Sequence, residues 1–129
     1  MNQEFKYQYR VYYEDTDAGG IVYHSNYLKF AERARTDMLR EIGLDQSAML
    51  KEDIAFVVRR IEADYLQPAQ LDDMLAVSVV VEERRKASMT ISQTVTNQHD
   101  RPLFRMSSLI ACIRPSIMKP VAMPDCFKI

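Results

Sequence analysis

The chain has 129 residues, 47% of them hydrophobic and 27% charged, which is the size of one domain with enough apolar material for an ordinary core and far from a disordered composition. A formal net charge of -1 gives no basis for nucleic-acid binding, and no apolar run approaches membrane-spanning length. With only three glycines and five prolines, no repeat and no biased segment, residues 1–129 read as a single domain without linkers.

The N-terminal segment alternates, with Phe5, Tyr7, Tyr9, Val11 and Tyr13 on one side and Lys6, Gln8, Arg10 and Tyr12 on the other, the pattern of a strand with one buried face. From Tyr27 the period changes. Tyr27, Phe30, Ala31, Ala34, Met38, Leu39 and Ile42 recur at three- and four-residue steps and stop at Gly43, a natural end for a long helix. The small Ala31 and Ala34 would let a sheet approach this helix closely. Glu32 with Arg35, and Asp37 with Arg40, are i,i+3 pairs expected on its solvated face, with a second reading of Glu32 as a residue that helps order a site. Leu44 to Asp53 reads as a polar connection with a helical turn of its own.

The remainder has β character. Val57, Ile61, Ala63 and Tyr65 share one face of a strand that stops near Pro68, and one of Arg59 and Arg60 is expected to point inward or to pair at an interface. Leu75, Val77, Val79 and Val81 mark the next strand, and Met89, Ile91, Gln93 and Val95 the one after. Leu103 to Arg114 is apolar on both faces, which predicts a central position, and Pro115 to Ile129 reads as an irregular tail. His99, in the turn-like run Asn97-Gln98-His99-Asp100, belongs at the surface. One strand, a long helix and four strands give an α+β architecture, an antiparallel sheet wrapped around a single helix.

Cys112 in an apolar run and Cys126 near the C-terminus have neither metal-ligand nor disulfide-framework spacing, so reduced thiols in a cytoplasmic protein are expected. The start, MNQEFKYQYR, is polar and lacks the apolar centre of a signal peptide, which agrees with that compartment.

Chemistry concentrates between Tyr12 and Arg35. Asp15 and Asp17 flank Thr16; Ala18, Gly19 and Gly20 lack bulk and let the backbone turn sharply; His24, Ser25 and Asn26 lead into the helix, with Ser25 or Asn26 as N-cap. A helix start carries unpartnered N–H groups and positive partial charge, so it can hold a developing oxyanion. A carboxylate beside it therefore points to acyl transfer, in which the amides polarise a carbonyl and the carboxylate attacks it or activates a water that does. On spacing alone the plain reading stands beside this one: Asp and Asn as caps, Gly-Gly as a turn, His24 as a hydrogen-bonded side chain.

The run Tyr13-Glu14-Asp15-Thr16-Asp17-Ala18-Gly19-Gly20-Ile21-Val22-Tyr23-His24, followed by Asn26-Tyr27 and Glu32-Arg33-Ala34-Arg35, resembles the signature of the hotdog-fold acyl-CoA thioesterases. More narrowly, it is similar to the branch associated with the Tol-Pal system and related to 4-hydroxybenzoyl-CoA thioesterase. The similarity continues through Phe56-Val57-Val58-Arg59, Pro68-Ala69, Leu71-Asp72-Asp73 and Lys119-Pro120, nearly the whole chain. It implies a five-stranded antiparallel sheet wrapped around one long central helix, and hydrolysis of a small acyl-CoA.

By the same resemblance Asp17 is the catalytic carboxylate and Asp15 orders the turn. His24 stands where a backbone N–H polarises the thioester carbonyl; some relatives have Tyr there, so the imidazole is not itself required. Gly19 and Gly20 let the acyl group lie against the backbone. Tyr27 lines the acyl pocket, although its periodicity equally places it in the core. Arg84, Arg85 and Lys86 correspond to a basic run that meets the coenzyme A phosphates; by itself such a run is a solvated hairpin end, and Glu82 and Glu83 weaken its field. No cofactor or metal is implied, coenzyme A being part of the substrate. Family members are homodimers, often paired into homotetramers, with active sites at the subunit interface.

Thioester chemistry suits so spare a site. The leaving thiol has a pKa of roughly 8.5 and departs as thiolate with little acid assistance. The alternatives are an acyl group carried on acyl carrier protein, and a non-catalytic acyl-CoA-binding module linked to envelope or phospholipid machinery. Asp17 weighs against the latter, since a pure binder has no need of a carboxylate facing a thioester.

Overall fold

The computed structural model describes residues 3–124, so the expectation for Cys126 and the last residues of the tail lie outside the described residues. Chain order is β1 (Glu4–Arg10), a 3-10 turn (Tyr13–Asp15), α1 (Asn26–Glu41), α2 (Gln46–Lys51), β2 (Ala55–Tyr65), β3 (Met74–Arg84), β4 (Ser88–Thr96), β5 (Pro102–Arg114) and β6 (Lys119–Pro120). The five long strands form one antiparallel sheet in the order β1-β3-β4-β5-β2, and the short β6 adds to the end of β5. The sequence led to five strands and an irregular tail. The turn at 115–118 instead folds Lys119–Pro120 back against Arg114 and Ile113.

Helix α1 runs for 16 residues and packs on β3, β1 and β4. Its buried face is Tyr27, Phe30, Ala31, Ala34, Met38 and Leu39, the expected stripe, and each large side chain sealed there is worth about 1.5–3 kcal/mol. Alternation in the strands beneath holds as well: Leu75, Val77 and Val79 are fully buried, as is Val95, and Ile91 nearly so. The β1 tyrosines reach up to the second half of the helix, Tyr7 donating to Glu41 at 3.0 Å and Tyr9 donating to Asp37. Burial, reinforced by these carboxylates, raises both phenol pKa values. Strand β1 ends at Arg10, so Tyr13 departs from its predicted face and is 82% exposed in the 3-10 turn.

Three further expectations are corrected. Arg59 sits at a β-bulge: Val58 pairs with Ile110 and Arg60 with Leu109, so one residue of β2 has no partner on β5. The bulge inverts the alternation, placing Phe56 and Val58 on the same side as Ile61, Ala63 and Tyr65, moving Val57 to the other side, and leaving both arginines exposed. Arg60 pairs with Glu62 of its own strand at 2.7 Å. Second, Asp37 and Arg40 form their helical pair at 3.4 Å, but Arg35 turns inward and donates to Gln93 Oε1 at 2.9 Å instead of pairing with Glu32. Third, β5 lies inside the sheet, but β4 is the middle strand.

Helix α1 does not extend over β2. Val58, Ile61 and Tyr65 on its helix-facing side are 45%, 39% and 52% exposed, an apolar row along an open sheet edge. Among the described residues, no helix is long and apolar enough to cross a membrane. His99 is exposed in the β4–β5 turn, as its sequence context predicts, and Cys112 is a buried free thiol whose pKa is raised by that burial.

Candidate active site

Residues 11–26 form a compact loop that delivers Asp17 to the start of α1. Its ends are pinned to the 69–73 segment, with Val11 N donating to Asp73 O at 2.9 Å and Val22 N donating to Ala69 O at 2.8 Å. Asp15 is the organiser: its carboxylate accepts from Tyr12 N at 2.8 Å, and its carbonyl accepts from Tyr23 N at 3.0 Å and from the Asn26 side chain at 2.9 Å. That is the structural role expected of it. Asp17 N donates to Ile21 O and Gly20 N donates to Asp17 O, closing a tight turn in which Gly20 takes φ +80°, a conformation that disfavours a side chain.

The Asp17 carboxylate is exposed and is oriented by the backbone N–H of Gly19, 2.8 Å from Oδ1. A Cβ on Gly19 would stand 3.3 Å from that same oxygen, so the absence of a side chain there lets the backbone hold the carboxylate closely.

The helix start opposite is partly open: Asn26 N donates to Tyr23 O at 2.8 Å and Leu28 N donates to Ser25 O at 3.2 Å, while the N–H groups of His24 and Tyr27 have no acceptor among the described residues. Ser25 occupies the N-cap position but is itself helical (φ −72°, ψ −17°), and its side chain makes no cap hydrogen bond. The side chain of Asn26, the other expected cap, is committed to Asp15. Among the described residues, none accepts from the His24 backbone N–H. The positive end of a 16-residue helix dipole thus faces solvent beside a carboxylate. The His24 ring is exposed, lies 4.4 Å from the Tyr23 ring centroid and 6.3 Å from that of Tyr65, and its carbonyl accepts from the Tyr65 hydroxyl at 2.9 Å.

These groups border an open cleft of about 450 Å³ whose lining includes Asp17, His24, Tyr27, Tyr65 and Gln67. Tyr27 is a core residue, as its periodicity predicts, and also borders the cleft. It is 3% exposed and stacked on Phe104 at 5.1 Å, yet it forms part of the cleft wall. Its hydroxyl accepts from Ala69 N at 2.9 Å, and burial raises its pKa, partly offset by that hydrogen bond. Sequence reasoning missed Tyr65 and the 66–68 segment. The available signal was an aromatic residue at the end of a strand face that continues into Leu66, Gln67 and Pro68.

Arg84, Arg85 and Lys86 stand in the β3–β4 hairpin as predicted, but far from Asp17. The Asp17 loop is pinned to residues 69–73, just ahead of β3, and the basic run stands at the other end of that 11-residue strand, whose length is at most about 33 Å. Arg85 is paired with Glu83 at 2.9 Å in an exposed ion pair. Among the described residues, no group of His, Cys, Asp or Glu side chains is arranged to hold a metal ion.

Residues 11–128 match the model of the thioesterase-like superfamily. The acyl-CoA thioester hydrolase YbgC of Escherichia coli O6:H1 is 45% identical over 120 residues, covering 93% of this chain and 90% of that protein. The acyl-CoA thioesterase YbgC of Haemophilus influenzae is 42% identical over 125 residues, covering 96% and 91%. Among solved structures, the 1,4-dihydroxy-2-naphthoyl-CoA thioesterase of Synechocystis superposes with a TM-score of 0.91 at 22% identity, over 98% of this chain and 93% of its own, a likeness of fold.

Proposed function

The chain belongs to the thioesterase-like superfamily and is an acyl-CoA thioester hydrolase of the hotdog fold, and from that premise we propose that Asp17 is its catalytic carboxylate. The observation that carries this reading is the partly open start of α1 beside a carboxylate held by Gly19 N–H. The thioester carbonyl oxygen sits against the backbone N–H groups of His24 and Tyr27, where the negative charge that develops on it is met by fixed donors. Asp17 then either attacks the carbonyl carbon, so that the C–S bond breaks to release thiolate and water hydrolyses the resulting anhydride to the free acid, or takes the proton of a water that attacks, so that the acid and thiolate form directly. Gly19 and Gly20 leave room for the acyl group against the backbone, and Tyr27 and Tyr65 wall its path. The His24 imidazole is not part of the chemistry.

The length of β3 between the Asp17 loop and Arg84–Lys86 points to a role for the basic run in an assembly. In this reading Arg84, Arg85 and Lys86 hold the phosphates of coenzyme A bound at a neighbouring subunit's Asp17, and the enzyme works as a homodimer or homotetramer with sites between subunits. The uncovered apolar row of Val58, Ile61 and Tyr65 supports that association. No cofactor takes part beyond the coenzyme A of the substrate, and the free thiol of Cys112 suits a reducing cytoplasm.

Thiol release by wild type and Asp17→Asn across short, long and aromatic acyl-CoAs tests the reading. Wild type is expected to hydrolyse part of the panel and the variant to lose ~100-fold or more in kcat while remaining folded. A variant as active as wild type would remove Asp17 from the mechanism. A wild type inert on every acyl-CoA but active on acyl carrier protein thioesters would move the substrate to that carrier.

A further inference from the structure

A second cavity, of about 80 Å³, lies between α1, α2 and the β2–β5 side of the sheet, further along α1 than the Asp17 cleft. Most of its wall is apolar, including Phe56, Val58, Met89 and Ile110. Of its polar neighbours, Gln46 donates to Thr36 at 3.5 Å, so those two side chains partly satisfy one another. The Glu32 side chain is also on the wall but exposed, and Arg35 is the charged group that turns inward. Its guanidinium has five N–H donors, and the hydrogen bond recorded for it is the one to Gln93 Oε1 at 2.9 Å. Gln93 is 2% exposed and is fixed in turn by donating to Ala31 O at 3.0 Å, so Arg35 is aimed by a rigid partner.

No carboxylate of the described residues pairs with Arg35 within ion-pair distance. Burial lowers the pKa of the guanidinium, opposed by the more distant charge of Glu32. With Glu32 beyond ion-pair distance and one hydrogen bond going to a neutral amide, the guanidinium keeps N–H groups whose planar fork fits an anionic oxygen pair.

The two cavities are joined on the surface. The exposed row Tyr65, Ile61 and Val58 runs along β2 from the Asp17 cleft to the Arg35 cavity. From Tyr27 to Arg35 the helix rises about 12 Å, the extended length of an acyl chain of about eight to ten carbons.

We propose that Arg35 is a specificity-determining residue that binds a carboxylate at the far end of the acyl group, so that the favoured substrates are coenzyme A monothioesters of straight-chain dicarboxylic acids. The inference rests on the placement of the thioester at Asp17. The chain lies along the β2 row, roofed in the assembly by the second subunit, and its terminal carboxylate meets the N–H groups of Arg35 that Gln93 does not use.

The test compares the monothioester of a dicarboxylic acid of about nine carbons with the matched monocarboxylic acyl-CoA, using wild type, Arg35→Met and Arg35→Lys, with melting temperature and oligomeric state recorded for each. Wild type is expected to favour the dicarboxylic thioester by ~10-fold or more in kcat/KM, mainly through KM, as charge-assisted pairing predicts. Arg35→Met should bring the ratio to about one, and Arg35→Lys should restore part of it. A wild-type ratio near one, or a ratio that Arg35→Met leaves intact, overturns the proposal while acyl-CoA hydrolysis itself stands. Should Arg35→Met fail to fold, Arg35→Gln carries the same comparison. If wild type hydrolyses neither thioester, the reading of Asp17 fails first, and calorimetric binding of the two thioesters to wild type and Arg35→Lys decides the inference: equal affinities sink it, and a ~10-fold preference lost in the variant supports it.

Discussion

Among the described residues, the two α-helix starts are built in opposite ways. Helix α2, six residues long, is closed by Asp45, whose carboxylate accepts from Ser47 N at 2.9 Å and Ala48 N at 3.4 Å. Helix α1, 16 residues long, has a serine at the corresponding position that caps nothing, an asparagine diverted to Asp15, and a carboxylate that stands near but bonds to Gly19. A capped start spends its donors on stability; an open one keeps them for something that arrives. An aspartate near a helix start is therefore not one kind of residue. Asp45 and Asp17 differ by where the backbone turns, and that turn decides whether the carboxylate caps its own chain or faces outward.

The contrast breaks most sharply with Asp17→Asn against Asp45→Ala. The first is expected to lower kcat by ~100-fold or more with little change in melting temperature, and the second to cost about 1 kcal/mol of stability with kcat retained. Denaturant titration beside the thiol-release assay reads both. Next in size is Gly19→Ala. A methyl 3.3 Å from Asp17 Oδ1 forces the carboxylate to shift by a few tenths of an ångström, for which a ~10-fold loss in kcat with KM little changed is expected. At the Asp45 helix the same kind of change, Ala48→Gly, should touch stability alone, by about 1 kcal/mol.

The smallest effect belongs to the segment that follows α2. Asp53 accepts from the Ser116 hydroxyl and, at 3.0 Å, from its backbone N–H. The hydroxyl bond, with the backbone bond and nearby Arg114, lowers its carboxyl pKa from 3.8. The folded state thus favours the ionised form, and this contribution is fully present above pH 3.8 and lost as the pH falls through the lower folded value. Asp53→Asn should melt slightly below wild type at pH 7, with the gap closing in acid. A gap that widens in acid would contradict that account.

Much of the fold was legible in the chain because its periodicities are clean. The helical stripe from Tyr27 to Leu39 and the alternation of Leu75, Val77 and Val79 need only the geometry of one element and one buried side. Arg59 defeated the same reasoning. A bulge changes parity by one residue, and the sequence on either side of it, Phe56 and Val58 before, Ile61 and Ala63 after, only makes sense once the pairing with β5 is known. Arg35 misled for a related reason. Spacing identifies Glu32 as a possible partner, while Gln93, 58 residues away, was the partner with the better geometry.

Sequence alone determined which residues could do chemistry here: the Asp15–Asp17 pair, the double glycine and the helix start are contiguous, so chain connectivity brings them together whatever the rest does. Only the tertiary structure decided what each of them does. Asp15 is consumed by backbone donors of its own loop while Asp17 faces the cleft, Tyr65 arrives from a strand 41 residues beyond His24, and Arg84–Lys86 is carried to the far end of the sheet. Roles of that kind depend on where hydrogen-bond partners from distant segments fall, and distance along the chain carries no record of it.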